Sequence, residues 1–401
     1  MTLLDARTDL LDDARALLPG LVDLRRAIHA DPELGLELPR TQRRILDALE
    51  PLGAEVTLGA GLSSIAAVIR GTHSGPTVLL RADMDALPLA EDTGLDYAAT
   101  GERMHACGHD LHVAGLVGAA QLLAARRHEL HGDVLLMFQP GEELGDGATR
   151  MLAEGLLDAT GSRPVAAFGI HVVPGEFGVF STRPGPLMAG AIEVEITVTG
   201  AGGHASAPHL TRDPIPVAAE LVTALQSFVT RRFDVFDPVV LSVTQLHAGG
   251  PARNIISDTA TLVASVRVLS HENSARVQSE IPALARQIAD AHGCTAEVDM
   301  TVLCAPTVND AKAVEHVRTT LVALFGEERV WETAHPVMGS EDFSYVLEQV
   351  PGAFLFLRAT PVGMDLETAS PNHSPTVVFD DTVLADQAAA LAAFALGRLA
   401  A

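Results

Sequence analysis

Short, unbroken apolar runs alternate with helix-period segments along the first half of the chain. Residues 77–82, 133–138 and 165–170 are too short and too uniformly apolar for one-faced strands, so they read as strands buried on both sides. Between the first two lies a long Ala- and Leu-rich helix over 111–130. Upstream, 10–29 reads as an amphipathic helix with acids and arginines on one side. Buried strands joined by helices predict an α/β fold: a mainly parallel sheet covered by helices on both faces.

The pattern changes near Pro184 and Pro186. Residues 191–199 alternate apolar and polar positions, as a strand with one wet face does. A helix over 216–231, strands over 239–246 and 259–268, a helix over 271–292 and a strand over 295–302 follow. That order predicts a ferredoxin-like α+β unit whose open sheet face is free for pairing. After Pro306 the first style returns, with helices over 311–325, 341–349 and 382–399 and a strand over 353–357. The expected organisation is one domain over 1–186 and 304–401, interrupted by a second over 187–303.

Composition supports a large buried core: 48% of residues are hydrophobic and 19% charged. With 27 basic against 51 acidic side chains, the net charge is −24, which repels nucleic acid and anionic membrane surfaces. Three widely spaced cysteines, Cys107, Cys294 and Cys304, give no disulfide framework. The first residues lack a basic, then apolar, leader pattern, and no run of about 18 apolar residues occurs. A cytoplasmic location is the expectation.

Candidate chemistry gathers at the ends of the apolar runs. Asp83 and Asp85 follow the first, and Glu142 and Glu143 follow the second after a Pro-Gly turn. His171 ends the third. Cys107 and His109, one glycine apart, open the long helix, where a thiolate and an imidazole can face one cation. Each has a plainer reading alone: a buried thiol beside helix-capping residues, or an exposed acidic loop. Their coincidence at one sheet edge points to a metal site, because parallel sheets bind ligands at the carboxyl ends of their strands. A glycine-rich segment, 200–203, leads into His204, and further polar clusters lie at Arg253-Asn254, 338–342 and Asn372-His373.

In this order the segments Arg25-Arg26…His29, Arg81-Ala-Asp83-Met-Asp85, His105-Ala-Cys107-Gly-His109-Asp110, Gln139-Pro-Gly-Glu142-Glu143, Gly202-Gly-His204, Gly339-Ser-Glu-Asp342 and Asn372-His373 resemble a known family. They are similar to the aminoacylase, hippurate hydrolase and indoleacetyl-amino-acid hydrolase branch of the two-metal peptidases related to carboxypeptidase G. The resemblance implies a catalytic domain with two divalent cations per subunit, Zn²⁺, Mn²⁺, Co²⁺ or Ni²⁺. It also implies an inserted domain that pairs subunits into a homodimer or homotetramer and acts as a lid. By motif, the ligands are Cys107, His109, Glu143, His171 and His373, and Glu142 is the general base. Asp85 supports a ligand, His204 stabilises the oxyanion from the partner subunit, and Asn254 contacts substrate. Asp83 stands where distant relatives carry a ligand and is expected not to be one. The implied reaction is hydrolysis of the amide bond of an N-acyl-L-amino acid. A dipeptidase or carboxypeptidase with the same metals is the first alternative, and a catalytically dead binding dimer the second. Two departures from the pattern, Ser257 for Pro and Ser374 for Asn, remove no ligand.

Overall fold

The computed structural model describes residues 3–400, which divide into two compact units. The first holds the chain up to Leu187, Val308–His335 and everything from Asp342 onward. Its centre is an eight-stranded sheet in the order Glu55–Leu58, Ile65–Arg70, His131–Gln139, His73–Asp83, Pro164–Val173, Gly352–Arg358, Phe180–Thr182, Val330–Glu332. The four middle strands run parallel. Antiparallel pairings flank them, from Ile65–Arg70 on one side and Phe180–Thr182 on the other.

The apolar runs become these middle strands because they are covered on both faces. Leu79, Leu80, Leu135, Leu136, Phe138, Phe168 and Leu355 are fully buried. The helix His109–Ala125 is buried all round, as a helix apolar on every side must be, and packs against the helices Leu3–His29 and Val383–Arg398. It ends at Ala125, five residues short of the expected 130, where a 3₁₀ turn leads into the next strand.

The helix expected over 341–349 reduces to the four residues Ser344–Leu347. The Asp342 carboxylate is spent on Gln139 and on the backbone amide of Ala148, which holds the preceding chain out of helical geometry. The helix Pro39–Leu49 and the strand Ile65–Arg70 are additions to the predicted elements.

The second unit comprises Met188–Thr307 and Pro336–Glu341. Its four strands pair antiparallel in the order Val239–Ala248, Thr259–Val268, Gly190–Thr199, Thr295–Cys304. Numbered along the chain this is 2-3-1-4, the ferredoxin-like order. Along Gly190–Thr199, Ile192, Val194, Ile196 and Val198 are buried while Glu193 and Glu195 are exposed. The buried side meets the helices Pro214–Arg232 and His271–Ala291. Asp213 and Ser270 cap these helices by accepting the amides of Ile215 and Asn273. Among the described residues, no helix is long and apolar enough to cross a membrane.

Candidate metal centre

Strand register decides which side chains meet. Asp83 pairs with Gln139 across the ladder, and Arg81 pairs with Gly169 on the other side, so His171 lies two residues past the last pairing. The carboxyl ends of three parallel strands therefore finish level. The turn after Gln139 carries Glu142 and Glu143, and the loop before the long helix supplies Cys107 and His109.

Two donor groups share the Cys107 thiol. Cys107, His109 and His171 form one, and Cys107, Glu143 and His373 the other, with the donor atoms of each group within 4.8 Å of one another. Cys107 Sγ lies 3.4 Å from His171 Nε2 and 3.2 Å from His373 Nε2. His373 Nε2 is 3.4 Å from Glu143 Oε1, and His109 Nε2 is 3.9 Å from both Glu143 Oε1 and Glu142 Oε2. A tetrahedral cation with bonds of about 2.0–2.3 Å spaces its donors about 3.3–3.8 Å apart; the two 3.4 Å separations fall within that span and the others lie just outside it. His109 Nε2 and Glu143 Oε1 are, moreover, buried without a hydrogen-bond partner. Such atoms are costly to leave unpaired, and a cation satisfies both.

Neighbouring groups aim these donors. The Asp85 carboxylate accepts the backbone amides of Glu142 at 3.0 Å and Glu143 at 3.1 Å. The Asp85 carbonyl accepts His109 Nδ1–H at 2.8 Å, which turns Nε2 toward the site. His171 Nδ1 donates to the Val172 carbonyl at 2.8 Å, with the same effect on its ring. Gly108 has φ +84, and a Cβ there would lie 2.4 Å from Val172 Cγ2, so only glycine fits between Cys107 and His109. His373 is the one non-glycine residue with positive φ among those described, at +68. That conformation costs about 1–2 kcal/mol; the amide of His373, bonded to the Ala106 carbonyl at 2.9 Å, helps to hold it. The Asn372 side chain donates to the carbonyls of Cys107 and Val172.

Asp83 sits at the same strand end but is committed elsewhere. It accepts Arg81 at 2.6 Å and His112 at 2.5 Å. Burial disfavours its charge, yet Arg81, His109 and His112 outweigh burial and hold it well below the usual carboxylate range. Arg81 also contacts Asp342 at 3.2 Å.

Protonation follows the same geometry. The Cys107 thiol 3.2 Å from its Nε2, and then the Glu143 carboxylate at 3.4 Å, raise His373 to about 10. Burial opposes a charge on His109, but Asp83 and Cys107 raise it well above the ordinary imidazole range. Those protons occupy the positions a cation would take, since a ligating imidazole must be neutral. His171 is held neutral chiefly by burial, with the nearby His112 ring disfavouring a charge as well.

His204 and Asn254 lie in the second unit, both exposed, on neighbouring chain segments. His204 pairs with Ile255 in a two-residue ladder, and the amide of Ala205 donates to the Asn254 carbonyl at 2.9 Å. The backbone amide and the hydroxyl of Ser206 both reach His204 Nδ1, at 3.1 and 2.8 Å. Because a backbone amide only donates, the ring proton of a neutral His204 is on Nε2. Sequence reasoning assigned no role to Arg81, His112 or Asn372. Of these, His112 carried a readable signal, since it follows His109 by three residues and so shares its helix face.

Residues 79–397 match Peptidase family M20/M25/M40. The IAA-amino acid hydrolase ILR1-like 2 of Arabidopsis thaliana is 38% identical over 405 residues, covering 98% of this chain and 89% of its own. Thermostable carboxypeptidase 1 of Saccharolobus solfataricus is 36% identical over 389 residues, covering 95% and 96%. Among solved structures, the Bacillus subtilis YXEP protein, described as a dinuclear metal binding peptidase, superposes with a TM-score of 0.81 at 30% identity, covering 96% of this chain and 99% of that one. By the matched span and these identities, the chain belongs to Peptidase family M20/M25/M40.

Proposed function

We propose that the protein hydrolyses the amide bond of a small N-acyl-L-amino acid, with two divalent cations held by Cys107, His109, Glu143, His171 and His373. One observation carries the reading: two donor groups sharing one thiol stand beside Glu142, a carboxylate that both groups leave over. When bound, the cations supply a water of lowered pKa and polarise the scissile carbonyl. The Glu142 carboxylate takes the proton of the attacking water and delivers it to the nitrogen of the leaving amine, general base and then general acid. Asp85 holds the peptide on which Glu142 and Glu143 sit. His204, with its proton on Nε2, is the donor to the developing oxyanion, and Asn254 beside it contacts the substrate. As the family resemblance implies, the assembly is a homodimer in which each His204 serves the second copy. The likeness to an IAA-amino acid hydrolase over 98% of the chain supports an N-acyl substrate.

A dipeptidase or carboxypeptidase reading uses the same site and is favoured by the carboxypeptidase relative. The two readings differ in whether a free α-amine on the substrate helps or hurts. Purified protein loaded with Zn²⁺, Mn²⁺, Co²⁺ or Ni²⁺ is to be assayed for amine release from N-acetyl-, N-benzoyl- and N-indoleacetyl-amino acids and from dipeptides. Chelator-sensitive release from an N-acyl compound is expected. Release from dipeptides alone would transfer the assignment to a dipeptidase, and no release with any metal would reject hydrolysis.

A further inference from the structure

We propose that His112 is a positioning residue that completes the sheet edge beneath the metal centre and fixes the peptide carrying His171. The inference rests on the cation-binding reading above. It starts from the place where a strand stops. The ladder between His73–Asp83 and Pro164–Val173 ends at Arg81 and Gly169. The amide of Val172, three residues further on, points to the side where that neighbour has run out. His112 fills the vacancy from the helix His109–Ala125, and its Nε2 accepts the Val172 amide at 2.8 Å.

The partners dictate the state of the ring. A backbone amide has only a proton to offer, so His112 Nε2 must present a lone pair. The proton is then on Nδ1, which donates at 2.5 Å to Asp83, itself held anionic by Arg81. His112 is thus a neutral imidazole of one defined tautomer with both nitrogens in use. Asp83, His109 and His112 lie close enough together to resemble a further cation site. They are not one, because His112 has no lone pair left to give and Asp83 is already compensated.

The consequence reaches the donors through one peptide plane. The Val172 amide is bonded directly to the His171 carbonyl carbon, so holding that N–H holds the His171 backbone. The His112 ring also packs edge-on against the His171 ring, with centroids 4.6 Å apart, and lies 5.3 Å from that of His109. Without the acceptor at Nε2, the end of the strand keeps its pairing to Gly352–Arg358 but loses its hold on the other side, and His171 Nε2 shifts from its place 3.4 Å from the Cys107 thiol.

Two substitutions separate this role from simple filling of space. His112→Gln keeps an acceptor within reach of Val172, whereas His112→Asn keeps a donor for Asp83 and has nothing at the Nε2 position. Co²⁺ is the probe, titrated into metal-free protein and read by the thiolate-to-cobalt absorption that Cys107 contributes. Wild type and His112→Gln are expected to bind within a few-fold of each other, and His112→Asn about 10- to 100-fold more weakly, the usual cost of losing a group that orients a ligand. Wild-type affinity in His112→Asn would overturn the proposal alone. A wild-type chain that takes up no Co²⁺ would overturn the cation-binding reading and this inference with it. Should His112→Asn not fold, amide exchange in the wild type decides. A Val172 amide protected like the paired strands supports the proposal, and one exchanging like an exposed loop rejects it.

Discussion

In the first unit, the groups that converge on Cys107 are each fixed by a bond from a neighbouring element. Asp85 holds the backbone of Glu143 and the ring of His109, and Asn372 ties the backbone of Cys107 to that of Val172. In the second unit, His204 stands exposed on a two-residue strand, and among the described residues its only side-chain partner is Ser206. The strands differ in the same sense: uniformly buried in the middle of the first unit, alternately wet and dry in the second. Coordination tolerates errors of only tenths of an ångström, and the proposed donors other than the exposed His373 are held by hydrogen bonds in mostly buried surroundings around the strand ends. A hydrogen-bond donor needs only the correct tautomer and freedom to approach. The proposed division is therefore a rigid unit that holds metal and base, and a second unit that contributes one proton donor.

Removing the base gives the largest expected effect. Glu142→Gln should lower kcat by about 10²–10⁴-fold while metal content by elemental analysis stays at the wild-type level. Loss of metal together with turnover would merge the base with the ligand set. His204→Ala follows, with an expected loss in kcat of about 10²–10³-fold, typical of one oxyanion donor, and unchanged metal uptake. If that variant lost metal, the two units would not divide the labour as described.

Asp85→Asn tests the hydrogen bonds that hold the donors. The exchange keeps shape but turns one acceptor into a donor facing a backbone amide, either Glu142's or Glu143's. Metal affinity should fall about 10- to 100-fold, measured by competition with a chelating dye, and activity should recover when metal is added in excess. Unchanged affinity would mean that the glutamate turn holds itself.

Asp85 also marks the limit of what the sequence reveals. The strand ends, the Cys-Gly-His spacing and the two glutamates are legible because apolar runs have sharp ends and the chemistry follows at once. Asp83 and Asp85 are two residues apart on one strand end, yet one faces Arg81 and His112 and the other faces the glutamate turn. Only the register of three strands separates those roles, and register is a long-range property. Arg81, Asn372 and Asp342 were opaque for the same reason, since each acts on residues far along the chain. The helix expected over 341–349 failed there too, because Asp342 bonds to the core in place of continuing a turn. In the inserted unit the succession strand-helix-strand-strand-helix-strand predicted the strand order, and the alternation of wet and dry positions predicted the one buried face.

The smallest effect concerns how His204 is readied. Ser206→Ala removes the hydroxyl 2.8 Å from Nδ1 but leaves the backbone amide of the same residue at 3.1 Å. The remaining donor still excludes a proton from Nδ1, so Nε2–H persists and the ring keeps its chemistry. What is lost is one hydrogen bond on an exposed side chain, worth about 0.5–1.5 kcal/mol, or roughly a two- to tenfold fall in kcat with KM and metal content unchanged. A fall as deep as that of His204→Ala would show that the hydroxyl alone sets the tautomer. No fall at all would leave the backbone amide sufficient, and the second unit would then need no side chain besides His204 to ready its donor.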